Sequence, residues 1–234
     1  MLITEPKVYL IAQSYINISE FSEWAHNEVG PTPDGSPLDK MTNRRWEGMA
    51  NDDMDLVEFA GRHCYASWHK GREHDEYIQN LRDQGHGSVF EHPSYTFAIS
   101  GVSRNLTHEL VRHRVGVAIS QESQRYVAPT DNFVVPPALL EFCEGDMTHP
   151  VIKSFHDSCQ SSLNESRHLS VALSHLPTKQ RREAARALLP GCIETKLVWT
   201  VNRRTLEHVL DLRGSEHAEA EIRRLVEVVK EVAL

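Results

Sequence analysis

The sequence predicts an α+β fold, with mixed helices outnumbering the strands of a central antiparallel-type sheet. Three observations predict it. Residues 94–100 and 193–201 alternate apolar and small or polar side chains, as half-buried strands do. Several longer stretches repeat apolar residues at helical spacing between capping residues and glycine or proline stops. No internal repeat or low-complexity linker divides the 234 residues, so a single domain spanning 1–234 is expected.

In chain order, residues 7–13 (KVYLIAQ) are β-branched and aromatic enough for a strand. Residues 26–52 hold Pro31, Pro33, Gly35 and Pro37 close together and read as a surface excursion. Residues 53–67 place Met54, Leu56, Val57, Ala60 and Tyr65 on a helix, with Asp52 or Asp53 as its N-cap. A second helix over 73–82 ends at Gly85, and GHGSVFEH at 85–92 is a glycine-punctuated turn. In the strand at 94–100, Tyr95, Phe97 and Ile99 face one way against Thr96 and Ala98. Leu106, Leu110 and Val111 make 102–114 a helix, which delivers Arg112, His113 and Arg114 to a loop of small and apolar residues. Residues 133–137 are apolar and stop at Pro136-Pro137. Helices follow over 153–176 and 178–189, the second capped by Thr178 and stopped by Pro190-Gly191. In the strand at 193–201, Ile193, Thr195, Leu197, Trp199 and Val201 share a face. A short helix over 204–212 precedes a longer one over 216–232, with Ser215 as N-cap and Ala218, Ile222, Leu225, Val226 and Val229 as its apolar stripe.

Composition narrows the function. A hydrophobic share of 40% and a charged share of 25% are ordinary for a globular chain. No run of about 18 apolar residues suggests a membrane span, and no signal peptide opens the chain, so a cytoplasmic location is expected. The formal net charge of -8 argues against nucleic acid as a partner. Cys64, Cys143, Cys159 and Cys192 form no Cys-x-x-Cys and are expected to be reduced.

Against that acidic background, Arg112, His113, Arg114 and Arg125 crowd into one short stretch with Ser123, Gln124 and Tyr126. Such a patch is either a solvated charged face or a cradle for a phosphate-bearing ligand, whose oxygens match the guanidinium fork. Arg186, Arg203, Arg204 and Arg213 add a second basic group near Asn202, His208 and His217. A metal hydrolase is disfavoured. His108 and His113 are five apart, one more than a zinc-binding helix allows, which turns the second imidazole about 100° away. No metal ligand set is expected, and His63, His69, His74, His86 and His92 form none. Cys192 is either a packing residue or a nucleophile; its place just past a helix C-terminus gives a thiolate no help.

The ordered blocks EFAGRHCYASW, GHGSVFEH, GVSRNLTHELVRHR, ARALLP and DLRGSEHAEAEIRRL, with Arg112-His113-Arg114 followed by Ser123 and Arg125-Tyr126, resemble the flavin-dependent thymidylate synthase family over about residues 54 to 230. The resemblance implies a homotetramer with sites between subunits, small-molecule partners only, and reductive methylation of dUMP to dTMP. FAD, methylenetetrahydrofolate and NADPH are the implied cofactors. By position, His86, Ser88 and Glu91 match residues near flavin and folate, and Arg112, His113 and Arg114 match the flavin and nucleotide triplet. Asn202, Arg204, His208 and His217 match flavin contacts. Glu109, Arg112, Gln121, Glu122, Ser123, Gln124, Arg125, Arg186 and Arg213 match nucleotide contacts, with Arg213 and Ser123 as the catalytic positions.

Three features depart from the pattern. Eight residues separate Arg114 from Ser123 where seven are usual, Glu122 replaces an apolar residue, and Gly191-Cys192 replaces Asn-Ala. All lie by the nucleotide segments, so an alternative is a C5 methylase that accepts UMP, as family members in nucleoside-antibiotic pathways do. A non-catalytic nucleotide-binding or flavin-binding module is the rival from another class.

Overall fold

A computed structural model describes residues 1–29, 53–68 and 72–233. Most of the 26–52 excursion lies outside these residues; its described part, up to Val29, belongs to a π-helical turn, Ala25–Val29. The chain forms two compact units: residues 1–11, 96–200 and 206–234 in the first, and 12–95 and 201–205 in the second.

The elements are β1 (Leu2–Ile3), β2 (Lys7–Gln13), α1 (Ile18–Trp24), α2 (Asp53–Cys64), α3 (His74–Asp83), β3 (Ser94–Ser103), α4 (Arg104–Leu110), β4 (Val117–Gln121) and β5 (Phe133–Val134). They continue with α5 (Pro137–Phe142), α6 (Pro150–Ala172), α7 (Thr178–Ala185), β6 (Glu194–Asn202), α8 (Arg203–Gly214) and α9 (Ala220–Ala233). Short 3₁₀ turns cover Gly87–Glu91 and Arg186–Leu188. Helix and sheet are therefore mixed, with one four-stranded sheet ordered β2-β3-β6-β4 and a parallel pair β1-β5.

In the first unit, the alternating segments bury the side chains expected of them. Phe97 and Ile99 of β3 and Thr195, Leu197 and Trp199 of β6 turn inward. Phe97 and Trp199 meet at 5.6 Å between ring centroids. Helix α9 contributes Ile222, Leu225, Val226 and Val229, all buried, while Ala218 lies before its first turn and is half-buried. Gly101 lies where β3 passes β1 and β2, with φ of +71° and an ideal Cβ only 2.7 Å from the Glu5 carbonyl oxygen. Gly101→Ala meets both backbone strain and a backbone clash, so a loss of about 1–3 kcal/mol is expected. Urea unfolding measures it, and an unchanged midpoint would show that the turn relaxes freely.

Several boundaries differ from the sequence reading, for physical reasons. The helix expected over 102–114 is only Arg104–Leu110. Ser103 stays extended, its Oγ capping the Leu106 amide, and its own amide and hydroxyl donate to Glu221. That partner is far away in sequence, so the cap cannot be inferred locally. Val111, expected on the apolar face, lies past the helix and is exposed. The stretch read as a loop after Arg114 contains β4, whose Val117, Ile119 and Gln121 alternate in burial with exposed Ala118 and Ser120. Thr178 is the first residue of α7 rather than its cap; Pro177 takes that place. Ser215 also caps nothing at α9: its hydroxyl donates back to the Leu212 carbonyl, and α9 starts only at Ala220.

The second unit packs Val57 and Ala60 of α2 on Tyr77, Ile78 and Leu81 of α3, with Val89 and Phe90 of the 3₁₀ turn. Helix α2 ends at Cys64, so Tyr65, expected to face the core, is exposed. Charges are buried here as well. Arg62 donates from Nε to Glu58 at 2.5 Å and to the carbonyls of Ser67 and Arg72, and its guanidinium lies 4.3 Å from the Tyr77 ring centroid. His74 Nδ1 meets the other Glu58 oxygen at 2.6 Å.

Candidate active site

In the first unit Arg213 is the hub. It sits in the last turn of α8, where the helix dipole favours a cation. Its NH1 donates to Glu109 Oε2 at 2.7 Å, its NH2 to the Glu109 carbonyl at 3.5 Å, and its Nε to His113 Nε2 at 3.0 Å. His113 is pushed below the usual histidine pKa by burial first, then by Arg213, His208 and Arg112. A neutral ring with Nε2 accepting carries its proton on Nδ1, which can donate to a ligand. The exposed His208 ring packs edge-on at 6.0 Å. Arg112 and Arg114 are exposed and form no ion pair among the described residues. Exposed guanidiniums without an acidic partner have the chemistry to receive an anion.

The 121–125 segment follows β4. Gln121 Nε2 donates inward to the hydroxyls of Thr107 and Thr195, so its amide is anchored in the unit. The Glu122 amide donates to the Lys196 carbonyl and its own carbonyl accepts from Arg104. Ser123 uses its carbonyl for the turn, accepting from the amides of Tyr126 and Val127. Among the described residues its hydroxyl has no protein partner, which leaves it open to a ligand. Arg125 stands 3.7 Å from Glu183 and over the Tyr126 ring. Gln124 lines a small recess with Arg104, Lys196 and Thr195.

Arg104 is a residue the sequence reading passed over. Burial first, and then the neighbouring Arg186 charge, lower its pKa, so two guanidiniums are held close to each other. Its only sequence signal is a place in the GVSRNLTHELVRHR block. Of the expected residues, Glu109, Arg112, His113, His208 and Arg213 come together, and Arg186 joins Arg104. His217 stands apart, exposed, 3.9 Å from its neighbour Glu216.

In the second unit, Arg204 donates to Glu91 at 2.5 Å and covers Gly87, where a Cβ would lie 3.0 Å from its Nε. Glycine there keeps the backbone of the 3₁₀ turn open beneath a cation. Next to it, Ser88 is exposed, and the His86 ring meets the Tyr65 hydroxyl at 3.0 Å. Asn202 caps α8, its Oδ1 accepting from the Thr205 amide, so only its Nδ2 remains as a ligand donor.

Cys192 does not offer a nucleophile. Its sulfur lies 3.4 Å from Cys159, and burial pushes its thiol up to about 12, with Cys159 adding to the rise. At neutral pH the thiolate is negligible. Cys192→Ser is therefore expected to keep turnover within about threefold, whereas a nucleophile would lose nearly all of it. Timed alkylation with iodoacetamide should mark the exposed Cys64 well before Cys192. Among the described residues, no three His, Cys, Asp or Glu side chains converge to hold a metal.

Residues 48–233 match the family described as thymidylate synthase complementing protein. The flavin-dependent thymidylate synthase of Mycobacterium tuberculosis H37Rv is 40% identical over 199 residues, covering 80% of this chain and 78% of that protein. A crystal structure of the flavin-dependent thymidylate synthase from Helicobacter pylori, complexed with FAD and dUMP, aligns at a TM-score of 0.60 and 25% identity. That alignment covers 77% of this chain and 89% of that one. A UMP/dUMP methylase from Streptomyces cacaoi, bound with 5-Br dUMP, shares the fold at a TM-score of 0.68 and 21% identity, over 98% of this chain and 90% of that one.

Proposed function

The chain belongs to the flavin-dependent thymidylate synthase family and is an enzyme of that type, and from that premise we propose that it methylates C5 of a uridylate reductively, converting dUMP to dTMP. Methylenetetrahydrofolate is the proposed carbon donor and NADPH the ultimate reductant. The observation that carries the reading is Arg213, fixed on two sides by Glu109 and a neutral His113.

The residues fit FAD by their donor chemistry and by the open backbone at Gly87. In the first unit Arg112 and Arg114, without an ion pair among the described residues, suit a diphosphate; in the second, Arg204 over Gly87 forms a cradle that a Cβ would fill. His86, Ser88, Glu91, Asn202, His208 and His217 complete the proposed flavin and folate contacts. When bound, FAD supplies the redox chemistry, which no side chain can.

The chain's own residues do the rest. Arg104, Arg125 and Arg186 neutralise the nucleotide phosphate, and Gln121, Glu122, Ser123 and Gln124 shape the pocket around the ring and sugar. Arg213 donates to the uracil carbonyls. Negative charge gathering there makes C5 nucleophilic, so no protein nucleophile is required, in keeping with the protonated Cys192 thiol.

A homotetramer with sites shared between subunits completes the proposal, in a cytoplasmic setting and with the whole chain as one family domain. Tyr9 and Ile11 of β2 and Val198 of β6 leave apolar side chains exposed on the first unit, a surface suited to another copy. The eight-residue gap before Ser123 favours a second reading, in which UMP is accepted beside dUMP. A pocket that only tolerates an added hydroxyl discriminates by roughly 10² or less. Deuterium release from 5-deuterated dUMP and UMP tests both: release from each is expected, and release from dUMP alone retires the UMP reading. Failure of the purified protein to take up FAD, followed by its visible absorbance, would remove the flavin assignment.

A further inference from the structure

We propose that Cys159 and Cys192 are a disulfide-forming pair, which oxidation joins into a brace between α6 and the turn that leads into β6. Neither thiol takes part in the proposed methylation, so the pair is independent of the uridylate reading.

The two sulfurs lie 3.4 Å apart, although 33 positions separate them in the chain. Cys159 is on α6, Cys192 lies in the turn just before β6, and both pack into one cluster with Phe133, Leu163 and Ile193. A disulfide holds its sulfurs about 2.05 Å apart, so the approach still to be made is about 1.4 Å, less than one carbon–sulfur bond. The turn is sewn in place. The Gly191 carbonyl accepts the Asn105 amide at 3.1 Å, the Ile193 carbonyl the Arg104 amide at 3.2 Å, and the Cys192 carbonyl the Val134 amide at 2.8 Å. Gly191 sits so close to α4 that a Cβ there would lie 2.0 Å from Asn105 Oδ1. Cys192 therefore cannot draw back from α6 without breaking these bonds, and each thiol meets the other at a high effective concentration. Of the other two cysteines, Cys143 packs with Val135 and Ile152, and Cys64 ends α2 in the second unit.

A low-molecular-weight disulfide such as oxidised glutathione is a sufficient oxidant. Cys192 is half-buried and Cys159 buried, so Cys192 is the thiol that the oxidant reaches. Its thiolate attacks one glutathione sulfur, the glutathione S–S bond breaks, and one reduced glutathione leaves and takes up a proton. The Cys159 thiolate then attacks the Cys192 sulfur of the mixed disulfide and expels the second glutathione. In sum, the two protein thiols give up two electrons and two protons, and the glutathione disulfide gains both. Burial keeps both thiols protonated, which slows the first exchange but not the closure that follows it. The pair is thus a slow structural lock rather than a fast sensor, and it stays a dithiol in reducing surroundings. Once closed, it restricts the unfolded chain and ties α6 to the turn that supports the start of α4.

The full-length protein carrying Cys64→Ser, which removes the exposed thiol, is incubated overnight with excess oxidised glutathione at about pH 8.5. After removal of the oxidant it is denatured, alkylated and weighed, and a portion is digested without reduction. The protein is expected to lose the mass of two hydrogen atoms, to leave only Cys143 open to alkylation, and to yield a peptide joining Cys159 to Cys192. Dithiothreitol should reverse all three. The thermal midpoint of the oxidised protein should rise by roughly 5–10 °C. Adding Cys159→Ala or Cys192→Ser should abolish the mass loss and the rise; the joined peptide decides the matter even where a variant fails to fold. Cys159 and Cys192 both still alkylated after oxidation, or carrying glutathione only, would overturn the pairing. A disulfide that forms while the midpoint stays level or falls would overturn the brace.

Discussion

Arg213→Ala is expected to lower turnover by roughly 10²–10³-fold while FAD binding and the unfolding midpoint stay near wild type. The magnitude is that of removing one preorganised donor aimed at developing negative charge. Arg213 is available for such a task because the protein has already oriented it: Glu109 and His113 fix two edges of its fork at 2.7 and 3.0 Å. The loss should appear in kcat as well as kcat/KM, since the interaction strengthens as charge reaches the uracil carbonyls. Arg213→Lys should rescue little, because an ammonium cannot satisfy Glu109, His113 and substrate in one plane. Single-turnover measurement of deuterium loss from 5-deuterated dUMP gives the rate. Turnover within twofold of wild type in Arg213→Ala would refute the assignment.

The second large effect is on stability and lies in the other unit. Arg62→Ala is expected to cost about 3–5 kcal/mol, the range seen when one partner of a buried ion pair is removed. Glu58 is fully buried and Arg62 nearly so, at 0% and 3% exposure. The truncation removes the guanidinium from Glu58, which keeps its contact with His74, strips the Ser67 and Arg72 carbonyls of a donor, and removes the cation from the Tyr77 ring. Urea unfolding followed by tryptophan fluorescence measures the change, with Trp68 packed in the same unit. A loss below about 1 kcal/mol would mean that the pair behaves as a solvated surface bridge.

These two clusters show which parts of the fold were legible in the sequence. Periodicity reports one-sided burial, so the β3 and β6 alternations and the α9 stripe, apart from Ala218, placed their core residues correctly. Burial of charge has no such signature. Glu58 and Arg62 are four apart on α2, a spacing that reads equally well as an exposed helix pair. Caps that depend on distant partners were illegible too: Ser103 stays extended at the end of β3 and delays the helix to Arg104, with Glu221, 118 positions away, accepting from its amide and hydroxyl. β4 was missed because a five-residue edge strand of alternating half-buried and exposed side chains carries little apolar signal.

The site divides in the same way. Its residue types were visible as an excess of arginine in an acidic chain, and the family motifs named Arg213, His113 and Glu109 as candidates. Their grouping was not visible, since Arg213 meets His113 and Glu109 across 100 and 104 positions. Arg104 was passed over because one arginine at a helix start looks like any solvated charge. Its significance appears only when Arg186 is found beside it. Cys192 shows the opposite case, where a suggestive Pro-Gly-Cys turn holds a thiol that packing keeps protonated.

The most direct measurement is product analysis by mass spectrometry after the purified protein is incubated with dUMP, methylenetetrahydrofolate and NADPH, with and without FAD. The account predicts dTMP formed only when FAD is present, its methyl carbon drawn from the folate, and formation undiminished in Cys192→Ser. Formation of dTMP without flavin, or its loss in Cys192→Ser with FAD still bound, would contradict it.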